Sequence, residues 1–372
     1  MARVSPPLWL AQPSRFAGIK RRPARLVLAG LALLILLSLS AIIAPSPPPA
    51  SPDPAAADSD RADVLLYESI VAAVRGGGDY YSVAAQAQRS GGYPVRPFVT
   101  MRLPTLAIVQ AALPRPVTIL LLYLLCLAVL AAWYVQLGGV FARPPPRLIA
   151  LALVGCGGMI FVQTNLVAFH EVWAGLLVAL SLAVWRDDRW VEAVAIGACA
   201  MLIRETAALY AIVMALCALA GGHRREAIGW AVAFAMVGAA VTAHYFAWSA
   251  IILPSDPAGP GWSGLLGFGF FVKALSVTTA LSVLPPWIAA PFVGFALFGW
   301  LAWRDPAATR VLGVLGAYAV LVSLFCRTDT YYWVLLVAPV SLVGLAFIPD
   351  ALRDLYVAAL DSRRITVTRS VR

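Results

Sequence analysis

Carboxylates and cations at the edges of apolar blocks are the side chains of this sequence that have chemistry to offer. Three short motifs hold several of them: His170-Glu171 in VAFHEVW, Arg204-Glu205 in MLIRETA, and Arg327 in LFCRTDTYY. An acidic stretch after the first apolar block carries Asp58, Asp60 and Asp63, and Asp79 follows in GGGDYY. A carboxylate can take the proton from an attacking hydroxyl while Arg, Lys or His neutralises a departing phosphate. Group transfer from a lipid-linked phosphate needs that pairing, at the depth where a membrane meets water. Ionisable residues embedded in apolar flanks at span ends mark functional sites. Taken singly, each is also readable as a loop charge solvated by water.

Each cation and aromatic has a functional and a plain reading. Arg204 and Arg327 suit a phosphate as planar, two-toothed donors. Their plain alternatives are pairs with Glu205 and Asp329, although neighbours on a helix point apart. His170 and Glu171 assist at the site or cap the short span they precede. Arg102 contributes a guanidinium or merely anchors a span, and His244 reads as a core histidine or a site residue. Tyr331 belongs to a set with Tyr80, Tyr81, Tyr332, Trp248, Trp262 and Trp333. These form an interfacial aromatic belt, from which one or two side chains are available to stack on a sugar.

What must position these groups is membrane. Of the 372 residues 61% are hydrophobic and 12% charged, about half the charged share of a soluble domain. The apolar residues come in blocks near the length that crosses a bilayer, and backbone in lipid must pair internally. The blocks therefore predict an all-α polytopic bundle of about ten spans: 26–44, 116–137, 148–163, 171–185, 190–203, 206–220, 227–248, 284–303, 308–325 and 332–348. The four between 148 and 220 are short for a crossing, and 190–220 is open to being one long helix.

The net charge of +10 is a topology signal here, since no nucleic-acid motif accompanies it. With the N-terminus inside, the inner segments hold 19 of the 28 Lys and Arg, and most of the remaining nine lie in the one long outer loop, 45–115. Long loops weigh little in this rule, so both termini are expected in the cytoplasm. The first block is expected to be an uncleaved span rather than a signal peptide. Five cysteines without CxxC spacing predict neither a metal site nor structural disulfides.

The long outer loop begins with a Pro-rich spacer, PSPPPASPDP. Helical spacing follows from 57 to about 74 and ends at Gly76-Gly77-Gly78. A second amphipathic stretch covers Tyr80 to Gln88. Both predict helices lying on the membrane surface.

This layout resembles the GT-C superfamily of integral membrane glycosyltransferases. The resemblance rests on a first span, an outer acidic helix with Asp63-x-x-x-Tyr67, the turn GGGDYY, and Arg102-x-Pro104 entering the second span. The stretch 170–210 is similar to that family's block of short helices. Val64 follows Asp63, where several branches carry an Asp-Glu pair.

The resemblance implies transfer of a sugar from a polyprenyl-phosphate donor to an extracytoplasmic glycan or lipid acceptor, at a bacterial inner membrane. It implies Asp63 as general base, with Asp58 and Asp60 as the competing carboxylates and Asp79 as a second acidic site residue. Asp60 also suits a helix cap, and Asp79 a plain turn. Arg102, His170, Glu171, Arg204, Glu205, Arg327 and Tyr331 are the expected substrate-binding set. No cofactor is called for, although the outer carboxylates are compatible with a divalent ion. Residues 1–25 and 349–372 read as cytoplasmic tails of one membrane domain, 26–348. The alternatives are a transporter or flippase for a lipid-linked glycan, which the nearly charge-free span centres count against, and a non-catalytic assembly subunit.

Overall fold

The computed structural model describes residues 6–47 and 62–360. Asp58 and Asp60 lie outside the described residues. Within them the chain is helical, and the only extended pairings are isolated bridges between Leu10 and Phe141 and between Arg96 and Ala258. The helices are α1 Arg21–Leu39, α2 Ala62–Arg75, α3 Tyr80–Ser90, α4 Thr105–Ala112, α5 Arg115–Gln136, α6 Pro144–Gly157, α7 His170–Val184, α8 Val191–Ile203, α9 Ala208–Ala220, α10 Arg224–Ser249, α11 Gly267–Val277, α12 Pro286–Gly299 and α13 Pro306–Phe325. A kinked stretch rich in 3-10 turns, Thr328–Leu336 then Leu342–Phe347, leads into α14, Ile348–Leu360.

Among the described residues four helices are long and apolar enough to cross a membrane: Arg21–Ile42, Arg115–Gln136, Arg224–Ser249 and Pro306–Phe325. A fifth results if the segments on either side of a 65° bend near Val337 count as one span. The remaining apolar helices are shorter. At ~1.5 Å per residue each is shorter than the ~30 Å thickness of hydrocarbon.

The four long helices run between two opposite layers of loops. At one end, called upper here, α5 begins at Arg115, whose guanidinium lies 2.9 Å from Glu68 of α2. There Trp248, in the last turn of α10, donates its indole N–H to the Val95 carbonyl at 2.9 Å. Leu324 at the close of α13 accepts from the Leu265 amide at 3.1 Å. The ammonium of Lys273 holds the carbonyl of Ala44, just past α1.

The lower end gathers the other turns. Arg304, ahead of α13, donates to the Ser14 carbonyl at 2.9 Å. The backbone amides of Leu8, Trp9 and Leu10 donate to the Asp350 carboxylate at 2.6, 2.8 and 3.0 Å. Ser14 donates to Asp354 at 2.7 Å. The N-terminal strap and α14 are therefore bound together on one face.

The upper layer is a small helical cap. Asp79 accepts from the Ser82 amide at 3.0 Å and caps α3. Gly77, at φ +93, turns the chain out of α2 in a conformation that Cβ-bearing residues rarely adopt. Ile70, Val71, Tyr80, Ala84, Val95 and Met101 close the cap's own core, so α2 and α3 pack on each other. Arg102-x-Pro104 does not lead directly into the second span. Pro104 opens the short α4, and α5 starts only after Pro114.

Residues 190–220 form two helices. Arg204, at φ −143 and ψ 113, breaks them apart. His223 after α9 lies 3.7 Å from Asp187 before α8, so the two helices return to the same end as a hairpin with Arg204 at its upper tip.

Candidate functional site

Glu171 is the hub of the upper end. It sits in the first turn of α7, and Arg204 sits at the C-cap of α8. An acid at a helix N-terminus and a cation at a C-terminus each complement the helix dipole, so local structure favours this pair before any contact is made. Arg204 Nε approaches Glu171 Oε1 at 2.5 Å. The side chains are 4% and 0% exposed, which makes this a buried ion pair. Arg204 Nη1 also meets Glu205 Oε2 at 3.2 Å, and Glu205 Oε1 accepts the Leu103 amide at 3.1 Å. The turn carrying Arg102 is thereby tied to the tip of the α8–α9 hairpin.

Arg102 lies 4.0 Å from Glu171 Oε1 and 5.9 Å from the Tyr67 ring centroid, within cation–π range. Tyr67 packs edge-on against His170 at 4.7 Å. The Tyr80 hydroxyl donates to the Arg102 carbonyl at 2.6 Å. Next to this layer, half-buried, is Asp63 of α2. Tyr332 donates to its Oδ2 at 3.2 Å, and Tyr93 makes a second hydrogen bond to the carboxyl. Burial pushes the Asp63 carboxyl above its ordinary 3.8, against the opposing pull of the Tyr93 hydrogen bond and the Arg102 charge.

Several polar atoms of this cluster are buried without a protein partner: Arg102 Nε, Glu171 Oε2, Thr206 Oγ1 and both ring nitrogens of His170. Buried polar atoms left unsatisfied are uncommon and call for an explanation. Beside them is a pocket of about 10 Å³ lined by Tyr67, Tyr80, Gln110 and His170 among others, about the room one water needs.

No family model, curated protein or solved structure matches this chain.

The structure brings together Asp63, Arg102, His170, Glu171, Arg204 and Glu205, six of the residues singled out from sequence. The others stand apart from the core of the cluster. Asp79 is exposed, and the Ser82 amide it caps holds its carboxyl below the ordinary value. Arg327 is forked onto Asp329 and donates to the Gly261 carbonyl at 3.1 Å, its plain reading. It also interacts electrostatically with Tyr332. Tyr331 packs against Tyr332 at 6.0 Å. His244 bonds the Met101 carbonyl and the Tyr81 hydroxyl, each at 3.2 Å, and supports the cap. Among the described residues no group of three His, Cys, Asp or Glu could hold a metal ion.

Tyr93 and Tyr332 are the site residues that sequence reading passed over. Tyr332 was one of many interfacial aromatics. Tyr93, in the loop after Gly91-Gly92, carries no signal at all.

Proposed function

We propose that this chain is a membrane glycosyltransferase of GT-C type, taking a sugar from a polyprenyl-phosphate donor to an extracytoplasmic envelope acceptor. In this reading it crosses a bacterial cytoplasmic membrane about ten times, with both termini in the cytoplasm and the upper end outside. The supporting observation is one carboxyl, Asp63, raised by burial and set beside an arginine whose Nε has no protein partner, Arg102. Asp63 takes the proton of the acceptor hydroxyl. The freed oxygen attacks the sugar's anomeric carbon from the side opposite the phosphate, the bond to phosphate breaks, and configuration inverts. Arg102 neutralises the departing phosphate. Arg204 is committed to Glu171 and Glu205 and acts by holding that wall in place.

Incorporation of labelled sugar from a polyprenyl-phosphate carrier by purified protein tests this. Asp63→Asn should lower the rate by about 10²–10⁴, the usual contribution of a general base, while Asp79→Asn keeps it. Full turnover by Asp63→Asn would remove the assignment. One observation favours the assembly-subunit reading instead: the charges of the cluster largely neutralise one another beside only about 10 Å³ of space. For such a subunit, neither substitution would alter glycan transfer.

A further inference from the structure

The tripeptide Trp-Arg-Asp occurs twice, as Trp185-Arg186-Asp187 between α7 and α8 and as Trp303-Arg304-Asp305 between α12 and α13. Both copies line a single cavity of about 470 Å³ at the lower end, walled otherwise by the N-terminal strap and the α5–α6 turn. That volume lies in the range of small-molecule sites, roughly 300–1,000 Å³.

The walls are fixed before any ligand arrives. The Trp185 indole donates to Glu226 at 2.9 Å, and the Arg310 guanidinium lies 3.5 Å from its ring centroid. Arg310 itself pairs with Glu226 at 3.0 Å, and both are buried. Trp303 stacks on Phe347 at 5.6 Å. Arg186 Nη1 is held by the carbonyls of Ala183 and Trp185 at 2.9 and 2.7 Å. Arg304 is held by the Ser14 carbonyl through Nε and Nη2 at 3.1 and 2.9 Å. Asp305 uses one oxygen to cap α13, on the Ala307 amide at 2.8 Å.

Each turn thus presents one positioned cation and one anion to the same space, Asp187 also lying 3.7 Å from His223. A lone phosphate here would face two carboxylates, and a lone ammonium two guanidiniums. Asp187, Arg304 and Asp305 are exposed, so those repulsions discriminate against both most strongly at low ionic strength. A group carrying phosphate and ammonium a few ångströms apart meets opposite charge at each end. We propose that the paired Trp-Arg-Asp turns bind a phosphate–ammonium headgroup of the phosphoethanolamine type. Its source is either a membrane phospholipid or a soluble phosphoester. The proposal is independent of the transferase reading, whose residues lie at the opposite end.

Native mass spectrometry of the full-length protein in mild detergent tests it, with phosphatidylethanolamine, phosphatidylglycerol and glycerophosphoethanolamine as probes. Wild type should retain phosphatidylethanolamine in preference to phosphatidylglycerol. Binding of glycerophosphoethanolamine at comparable affinity would identify a soluble source, and retention of the lipid alone a membrane source. Arg186→Gln should weaken binding about tenfold, the loss of one charge-assisted hydrogen bond. Asp187→Asn should erase the preference between the two lipids. A Cβ at Gly139, on the cavity wall, meets nothing within 4 Å, so Gly139→Phe should block binding with an unchanged melting temperature. Equal retention of both lipids by wild type, or undiminished binding in a normally melting Gly139→Phe, would overturn the proposal.

Discussion

Asp63 carries a stability cost along with its proposed task. Its folded pKa lies above the unfolded one, so the folded chain holds the proton more tightly. That favours the native state fully below 3.8, the ordinary value, and the benefit disappears as pH rises through the raised value. Asp63→Asn removes the titration while keeping an acceptor for Tyr332. The variant should therefore melt above wild type at pH 7 in detergent, with the gap closing on acidification. Identical melting curves at both pH values would show that the carboxyl is not strained by burial. Transfer activity should run the opposite way, since a base works only when ionised, and should fade as pH drops through the same value. Glu171 makes a sharper case. Glu171→Ala takes the buried carboxylate from Arg102 and leaves Arg204 with Glu205 alone, and should cost about 3–5 kcal/mol, whereas replacing both partners, as Glu171→Leu with Arg204→Met, should recover most of that. A thermal or denaturant series on the two variants measures the difference, and equal losses would argue that packing rather than charge sets the cost. These ion-pair residues were legible in the sequence because polar side chains inside VAFHEVW and MLIRETA have few reasons to be there. Their partners were not: Glu171 meets Arg204 across 33 positions, and nothing local encodes that distance.

Helices were the most readable level. The expected 116–137, 171–185 and 190–203 lie within a residue or so of α5, α7 and α8, because apolar blocks with charged or Pro-rich edges set their own limits. The end of the bundle near the C-terminus was not readable. The expected span 332–348 is a kinked run of 3-10 turns around one short α-helical turn, Ala338–Ser341, and it packs tightly on α12. Gly299 of α12 and Gly344 of this run approach so closely that a Cβ on Gly299 would stand 1.8 Å from the Gly344 carbonyl oxygen. Small residues let backbones touch in membranes, where close packing replaces the hydrophobic drive between helices. Gly299→Ala should therefore destabilise the protein by about 1–3 kcal/mol through overpacking. Gly30→Ala in α1, whose new methyl meets nothing within 4 Å, should be neutral or mildly stabilising, since alanine is the better helix former. If thermal aggregation in detergent finds the two alike, the contact between α12 and 342–347 is looser than drawn.

On the scale of the whole molecule, the two loop layers make a claim about sides that chemistry can interrogate directly. Ser90 closes α3 in the upper layer, and Arg189 occupies the α7–α8 turn in the lower one; both are exposed. Four helices long enough to cross a membrane join these layers, so the two positions belong on opposite sides of any bilayer the protein occupies. The arginine-rich turns collect at the lower end, where the strap is bound to α14, which is the distribution expected of a cytoplasmic face. In a background with the five native cysteines replaced, Ser90→Cys should react with a membrane-impermeant maleimide in intact cells. Arg189→Cys should react only after permeabilisation. Labelling of both from the same side would mean that the long helices do not cross as read. The reversed pattern would keep the fold and place Asp63 in the cytosol, away from any extracytoplasmic acceptor, and the transferase proposal would fall while the Trp-Arg-Asp cavity would face outward. Sidedness thus decides which of the two charged sites can meet which substrate, and it does so without any assay of activity.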